Sequence, residues 1–304
     1  MTEPVVRLSG VTKRFGGHTA VDRLDLEIPR GSVYGLLGPN GSGKTTAIRM
    51  MMGILRPDEG RVELLGGEPE EEARRRVGYL PEERGVYRRM KATELLVFLA
   101  EIRGVERTVG RARALEWLER LGLTRWADHK VEDLSKGMQQ KVQFIATVLH
   151  EPELLVLDEP FSGLDPINQD VLEEIVLDLQ GRGVTILFST HLMDQAERLC
   201  QRVCLISRSR KVLEGDVREL KRGERRGVVA VAFDGPDGWL DGAEVIRREA
   251  AADATHLVLR EGADAQALLR RAVESGAVIH RFELVEPRLH EIFVRHAAPQ
   301  EASA

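Results

Sequence analysis

Short apolar runs separated by turn residues occupy the first part of the chain. Val5 to Leu8 is apolar and β-branched, and Val21, Leu24, Leu26 and Ile28 precede the turn Pro29-Arg30-Gly31, so both segments read as strands. Val33 to Leu37 is a continuous apolar run that suits a buried strand. A glycine-rich turn follows, then a helix over about Lys44 to Leu55, ended by Pro57, Asp58 and Gly60. From about Thr93 to His150 the period turns helical, with Leu95, Leu96, Phe98 and Leu99 and then Leu115, Leu118 and Leu121 at helical spacing. Strand-like runs return at Leu154 to Leu157, Val184 to Phe188 and Val203 to Ile206, and amphipathic helices such as Ile167 to Leu179 lie between them. Strands alternating with helices predict a parallel sheet covered by helices on both faces. The helical block, about residues 92–150, reads as an insertion into that α/β body.

The pattern changes after residue 222. Lys221 to Gly227 is charged, contains two glycines and reads as a linker. Beyond it, Val228 to Phe233, Glu244 to Arg248 and His256 to Leu259 predict strands, Ala265 to Val273 a helix, Val278 to Leu284 a strand and Arg288 to Val294 a last helix. The expected organisation is an α/β domain over 1–222, a small α+β domain over 228–297 and a disordered tail over 298–304. No internal repeat is visible.

Composition narrows the function classes. The chain has 304 residues, of which 42% are apolar, enough for one large core and a smaller one. Its 44 basic and 49 acidic side chains leave a net charge of −5, which gives no sign of a nucleic-acid partner. Basic clusters such as Arg74-Arg75-Arg76 stand beside acidic runs and read as solvated faces. The two cysteines, Cys200 and Cys204, fit a reducing compartment and read as small apolar residues near a helix–strand junction. No stretch approaches the roughly 18 to 20 apolar residues of a membrane helix, and no secretory signal is present at the N-terminus. The protein is expected to be soluble by itself, with any membrane role needing another chain as anchor.

Chemistry concentrates at two places. Gly38-Pro39-Asn40-Gly41-Ser42-Gly43-Lys44-Thr45 matches the P-loop pattern G-x4-G-K-[ST] between a predicted strand and a predicted helix, with Thr46 beside it. Glycines let the backbone wrap a phosphate, and the loop's N–H groups and the helix N-terminus present positive partial charge to it. Lys44 is placed to reach the β and γ oxygens of a nucleoside triphosphate, and Thr45 to offer a hydroxyl to Mg²⁺. The second place is Leu154-Leu155-Val156-Leu157-Asp158-Glu159-Pro160, a buried strand that delivers two carboxylates to its C-terminal end. Asp158 can hold Mg²⁺ through water, and Glu159 can orient or deprotonate an attacking water. Such a run occurs by chance; about a hundred residues after a P-loop it gains specificity. The methionines and apolar residues Met50, Met51, Met52, Ile54 and Leu55 are expected to pack the core side of the P-loop helix. A guanine-reading Asn-Lys-x-Asp run is absent.

With these residues in place the chain resembles the ABC ATPase family over about residues 5 to 220. Leu134-Ser135-Lys136-Gly137-Met138-Gln139-Gln140 resembles the family's signature loop, Ser162-Gly163-Leu164-Asp165-Pro166 its D-loop, His191 its switch histidine, and Phe15 the aromatic that stacks on adenine. The resemblance implies a P-loop nucleotide-binding domain of ABC type that binds ATP and Mg²⁺. It implies head-to-tail pairing with a second copy or a homologous subunit. Ser135 and the N–H of Gly137 would then touch the γ-phosphate held by the partner copy's P-loop lysine, His191 would contact the γ-phosphate in cis, and Asp165 would couple the two sites.

Two departures stand out. Lys136 and Met138 replace the signature loop's usual Gly and Gln. In Gly78-Tyr79-Leu80-Pro81-Glu82-Glu83, Glu82 stands where the Q-loop normally carries Gln, and as a carboxylate it can still bind Mg²⁺. The run Leu80 to Gly85 resembles bacterial sodium- and drug-efflux subunits that serve separate ABC-2-like permeases and carry a small C-terminal domain. The segment after Glu82 and the helical block would form the groove for a permease's coupling helix. The expected function is therefore an ATPase subunit of a bacterial exporter, peripheral on the cytoplasmic face of the membrane. The alternative is a soluble ABC ATPase acting on DNA or ribosomes, but neither a long coiled coil nor a second cassette is present.

Overall fold

The computed structural model describes residues 3–82, 85, 89–224, 227–242, 244–250, 254–260 and 262–297. The tail expected over 298–304 lies outside them. The chain divides into two compact units at Gly215/Asp216.

The first unit is built on two sheets. Strands β1 (Pro4–Phe15), β2 (His18–Pro29) and β4 (Glu59–Leu64) form an antiparallel sheet with β1 in the middle. The six-stranded sheet contains β3 (Val33–Leu37), β5 (Val77–Leu80), β6 (Leu154–Asp158), β7 (Thr185–Thr190), β8 (Arg202–Ser207) and β9 (Arg210–Asp216) in the order β5-β6-β7-β3-β8-β9. Its first five strands in that order pair in parallel. Every residue of β3, β6 and β7 is buried, as parallel strands covered on both faces require.

Helix α1 (Lys44–Met51) is packed between these sheets. Its Ala47, Ile48, Met50 and Met51 share one core with Val6, Leu8 and Leu26 of the antiparallel sheet and with Leu154, Val156, Leu187 and Ile206 of the parallel one. The alternate residues Leu155, Leu157, Ile186 and Phe188 are buried on the opposite face. There α6 (Pro166–Gly181) and α7 (Met193–Leu199) pack on β7, and Phe161 meets Phe188 edge-on at 5.8 Å. The helical block comprises α3 (Ala92–Ile102), α4 (Arg107–Arg120) and α5 (Lys136–Val148), which pack on one another. A short helix α2 (Glu71–Arg75) precedes β5.

Some expectations needed correction. Helix α1 stops at Met51, before Leu55, and the cause is Gly53 rather than Pro57, Asp58 and Gly60. Gly53 has φ +64°, its N–H bonds Met50 O at 3.0 Å, and the Ile54 N–H bonds Arg49 O at 2.9 Å, a Schellman closure. Beyond it Ile54 is 55% exposed rather than packed in the core. The segment read as a linker begins inside a helix, α8 (Val217–Gly223), capped by Asp216, whose carboxylate accepts from the N–H groups of Arg218 and Glu219.

The second unit is a four-stranded antiparallel sheet of β10 (Val228–Asp234), β11 (Val245–Ala250), β12 (Thr255–Leu259) and β13 (Val278–Leu284), in the order β11-β12-β10-β13. Helix α9 (Ala265–Glu274) and Trp239 cover one face over Val229, Val231, Leu257 and Leu259. Helix α10 (Leu289–Ala297) packs on α8 and buries Leu289 and Ile292.

Candidate active site

The loop of residues 38–43 joins β3 to α1 at the C-terminal edge of the parallel sheet. Its glycines are there for two reasons. Gly38 and Gly43 have φ of +153° and +110°, and a side chain on either would collide with backbone: with Ile206 O at 2.1 Å from Gly38, and with Ala20 O at 2.3 Å from Gly43. Neighbouring backbone thus closes on the loop from outside and leaves its inner, N–H-lined side as the place for a ligand. Lys44 is 6% exposed and donates to Gly38 O at 2.8 Å and Pro39 O at 3.2 Å, so its ammonium lies over the loop.

Strand β6 carries Asp158 to the adjacent strand end. Asp158 is 1% exposed, and its Oδ1 accepts from the hydroxyl of Ser189 on β7. Burial pushes its carboxyl up from the ordinary value; the Ser189 and Thr45 hydroxyls and the Lys44 ammonium oppose this, while the Glu159 charge adds to it. Glu159 follows with φ +49°, a left-handed backbone held by its N–H donating to Ser189 O at 3.3 Å and Ser189 Oγ at 3.1 Å. That backbone aims its carboxylate at two cations or donors from other elements. Lys44 Nζ stands 3.6 Å from Oε1, and His191 Nδ1 lies 3.0 and 3.1 Å from Oε1 and Oε2. The glutamate side chain is 9% exposed and that of His191 42%, so the histidine edges the site toward solvent.

Lys44, Thr45, Asp158, Glu159 and His191 therefore meet in one place although they come from α1, β6 and the end of β7. Ser189 belongs with them and the sequence reading missed it. Its signal was available: a fully buried hydroxyl ending the apolar run Thr185 to Phe188 needs a polar partner.

The other sequence-selected residues take different positions. Ser135 caps α5 by accepting from the Met138 N–H at 3.3 Å, and a side chain at Gly137 would meet only Leu164, at 3.9 Å. Asp165 caps α6: its carboxylate accepts from the Asn168 N–H at 3.0 Å and from the Asn168 amide, which hold it below the usual carboxylate range. Phe15 ends β1 with its ring 49% exposed and Lys13 Nζ 5.7 Å from the centroid. Glu82 is exposed two residues past β5, whose Leu80 pairs with Leu157 of β6; Glu83 and Arg84 lie outside the described residues.

The donor set fits a magnesium nucleotide. Ser42 Oγ and Asp158 Oδ2 are buried and have no hydrogen-bond partner among the described residues, a cost of about 1–3 kcal/mol each unless a ligand meets them. Among the described residues no cluster of three or more His, Cys, Asp or Glu could hold a metal. Mg²⁺ takes one or two protein oxygens and completes its shell with phosphate and water, and the Thr45 hydroxyl beside the Asp158 carboxylate supplies such oxygens. The cysteines have no part in this: both are free and buried, and burial pushes their thiols up.

Comparison with known proteins agrees with this geometry. Residues 21–162 match the family described as ABC transporter, and residues 215–297 match the C-terminal domain of DrrA1-3-like ATP-binding proteins. The chain is 42% identical over 291 residues to the uncharacterized ABC transporter ATP-binding protein YhaQ of Bacillus subtilis (strain 168), covering 95% of this chain and 97% of that protein. It is 40% identical over 231 residues to the Nod factor export ATP-binding protein I of Burkholderia thailandensis, covering 75% of each. A solved dimeric ATP-binding cassette in a post-hydrolysis state with ADP and Pi superposes with TM-score 0.64 at 25% identity, over 70% of this chain and 98% of that one. The chain belongs to the ATP-binding proteins of ABC transporters.

Proposed function

We propose that this chain hydrolyses Mg·ATP at a site completed by a second ATPase subunit and thereby drives a separate membrane-spanning permease, with export as the direction. The observation that carries the reading is the glycine cradle with the Lys44 ammonium over it and the Asp158 and Glu159 carboxylates beside it. In this reading the loop N–H groups and Lys44 hold the phosphates, while Thr45 and Asp158 hold Mg²⁺, with Glu82 reaching the same ion. A bound Mg²⁺ would supply neutralisation of the phosphate charge. Glu159 orients the attacking water and accepts its proton, and His191 contacts the γ-phosphate while fixing the Glu159 carboxylate through the 3.0 Å bond. Phe15, exposed beside Lys13, offers a face for the adenine.

Several features support a two-subunit site. Ser135 and Lys136 are exposed at the start of α5, and a side chain at Gly137 would meet only Leu164, so the signature loop offers an open edge to a nucleotide on another copy. The solved relative with ADP and Pi is dimeric. Export is supported by the Nod factor export relative and the DrrA-like second unit.

No helix among the described residues is long and apolar enough to cross a membrane, and in this reading a separate partner supplies the spanning part. A cavity of about 260 Å³ between the end of β5 and helices α3 and α5, lined by Leu80, Leu95 and Leu99 together with Arg103, Gln143 and His150, offers that partner a seat of mixed polar and apolar character. This reading places the chain on the cytoplasmic face of a bacterial membrane. Purification of the tagged chain from detergent-solubilised native membranes tests it. A stoichiometric multi-spanning partner is the expected result; recovery only with ribosomes, nucleic acid or nothing overturns the transport role.

A further inference from the structure

The turn of residues 159–165 joins β6 to α6 and carries both Glu159 and Asp165. It has few backbone bonds of its own: Ser162 N–H to Glu159 O at 3.2 Å and Leu164 N–H to Phe161 O at 3.2 Å. Pro160, Phe161 and Leu164 are buried, so their carbonyls need donors. Glutamine side chains from outside the turn supply them. Gln140 on α5 donates its amide to Pro160 O. Gln169 on α6 donates to Leu164 O at 3.0 Å and to Phe161 O at 3.5 Å. Gln195 on α7 donates to Gln169 Oε1 at 3.3 Å. Gln140 and Gln195 are each 4% exposed and Gln169 is half-buried, so the bond to Pro160 O is made out of solvent and the others at its margin.

The three helices involved each begin at a functional residue. Helix α5 starts after Ser135, α6 after Asp165, and α7 two residues beyond His191. We infer that Gln140, Gln169 and Gln195 form a positioning network that ties the signature helix and the switch-histidine helix to the turn, and so sets the Glu159 carboxylate for hydrolysis. None of the three touches nucleotide in the proposed site; they act through the turn. The amide group suits the task because it donates and accepts at once. Gln169 can hold two carbonyls of the turn while accepting from Gln195, and a glutamate or leucine cannot do both. Glu159, at φ +49°, keeps a strained backbone that persists only where its surroundings fix it. A misplaced carboxylate loses rate without losing nucleotide, since the phosphate contacts lie on the P-loop.

This inference rests on the role proposed for Glu159, and the test separates the two. For the full chain with Mg·ATP, kcat, KM and the nucleotide Kd are measured for the parent, Glu159→Gln, Gln169→Glu, Gln195→Leu and the Gln169→Glu/Gln195→Leu double variant, with the thermal midpoint of each. Gln169→Glu is expected to lower kcat about tenfold or more while Kd stays within about twofold. Gln195→Leu is expected to give a smaller loss of kcat that vanishes in the Gln169→Glu background, because it acts through Gln169. A purely structural role predicts the opposite pattern: the midpoint falling as Kd rises, with additive effects. Parental kcat in both single variants, or kcat losses that multiply in the double, overturns the network. If Gln169→Glu does not fold, Gln195→Leu alone decides by the split between kcat and Kd. A parental rate for Glu159→Gln instead removes the role of Glu159, whatever the glutamines do.

Discussion

Strands β3, β6 and β7 of the first unit are buried at every position, whereas β11 and β13 of the second are exposed at most of theirs. In the first unit packing is complete within the strands, and the residues just past their ends are free for chemistry. Gly38, Glu159 and His191 all stand one residue past such an end. In the second unit one face supplies the core and the other is spent on exposed ion pairs such as Arg247–Glu249 and Arg281–Glu283, which contribute little. Burial on both faces is thus what lets a strand end hold a partly desolvated carboxylate such as Asp158 in a fixed place. The comparison predicts that the second unit folds without taking part in the ATP chemistry.

Leu268→Ala is expected to have the largest effect on that contrast. Leu268 is fully buried under the second sheet, and the substitution should cost that unit about 3 kcal/mol in denaturant unfolding while the Kd for Mg·ATP stays unchanged. A matching loss of ATP affinity would show that the second unit does shape the site. Lys44→Ala acts in the reverse sense. It should weaken ATP binding by about 30-fold, equivalent to about 2 kcal/mol, and leave the unfolding of the second unit as it was.

A pH effect of similar size is expected from His150, which lies at the end of the helical block beside the groove lined by α3 and α5. Burial, with the nearby Arg103 and Arg113 charges, pushes its pKa down to about 4. A histidine whose folded pKa lies below its unfolded value of about 6.5 contributes full stability above that value and loses it as pH falls toward the folded value. Between pH 7 and pH 5 the parent should therefore lose about 2 kcal/mol that His150→Phe does not lose, read by urea unfolding at the two pH values. Equal losses in both proteins would remove His150 as the cause. The smallest effect is expected from Glu82→Gln. If Glu82 reaches the ion, the amide should raise the Mg²⁺ concentration needed for half-maximal hydrolysis severalfold, with kcat little changed. An unchanged Mg²⁺ requirement would take Glu82 off the ion.

The parts of this account that were legible in the sequence are those whose chemistry needs contiguous residues. A phosphate cradle must be a single loop between a strand and a helix, so Gly38 to Thr45 announces itself, and so does the apolar strand that ends in Asp158 and Glu159. The antiparallel sheet was harder. Strand β1 shifts register between Leu8 and Val11 and again between Ser9 and Thr12 against its two neighbours, which breaks the alternation that marks a strand. Strand β4 begins with Glu59 and Gly60, residues that read as a turn. Helix α7 has seven residues, too few to show a period. The glutamine bonds to the turn were invisible because a side chain on one helix meets a backbone carbonyl 20 positions away, and nothing local marks that pairing.

In the proposed reaction Glu159 activates water while the P-loop holds the nucleotide. Single-turnover hydrolysis of bound Mg·ATP by Glu159→Gln tests it most directly. The predicted result is ATP bound at parental affinity, remaining intact at least about 100-fold longer than in the parent, with the chain eluting as a dimer. Hydrolysis at the parental rate would contradict the account.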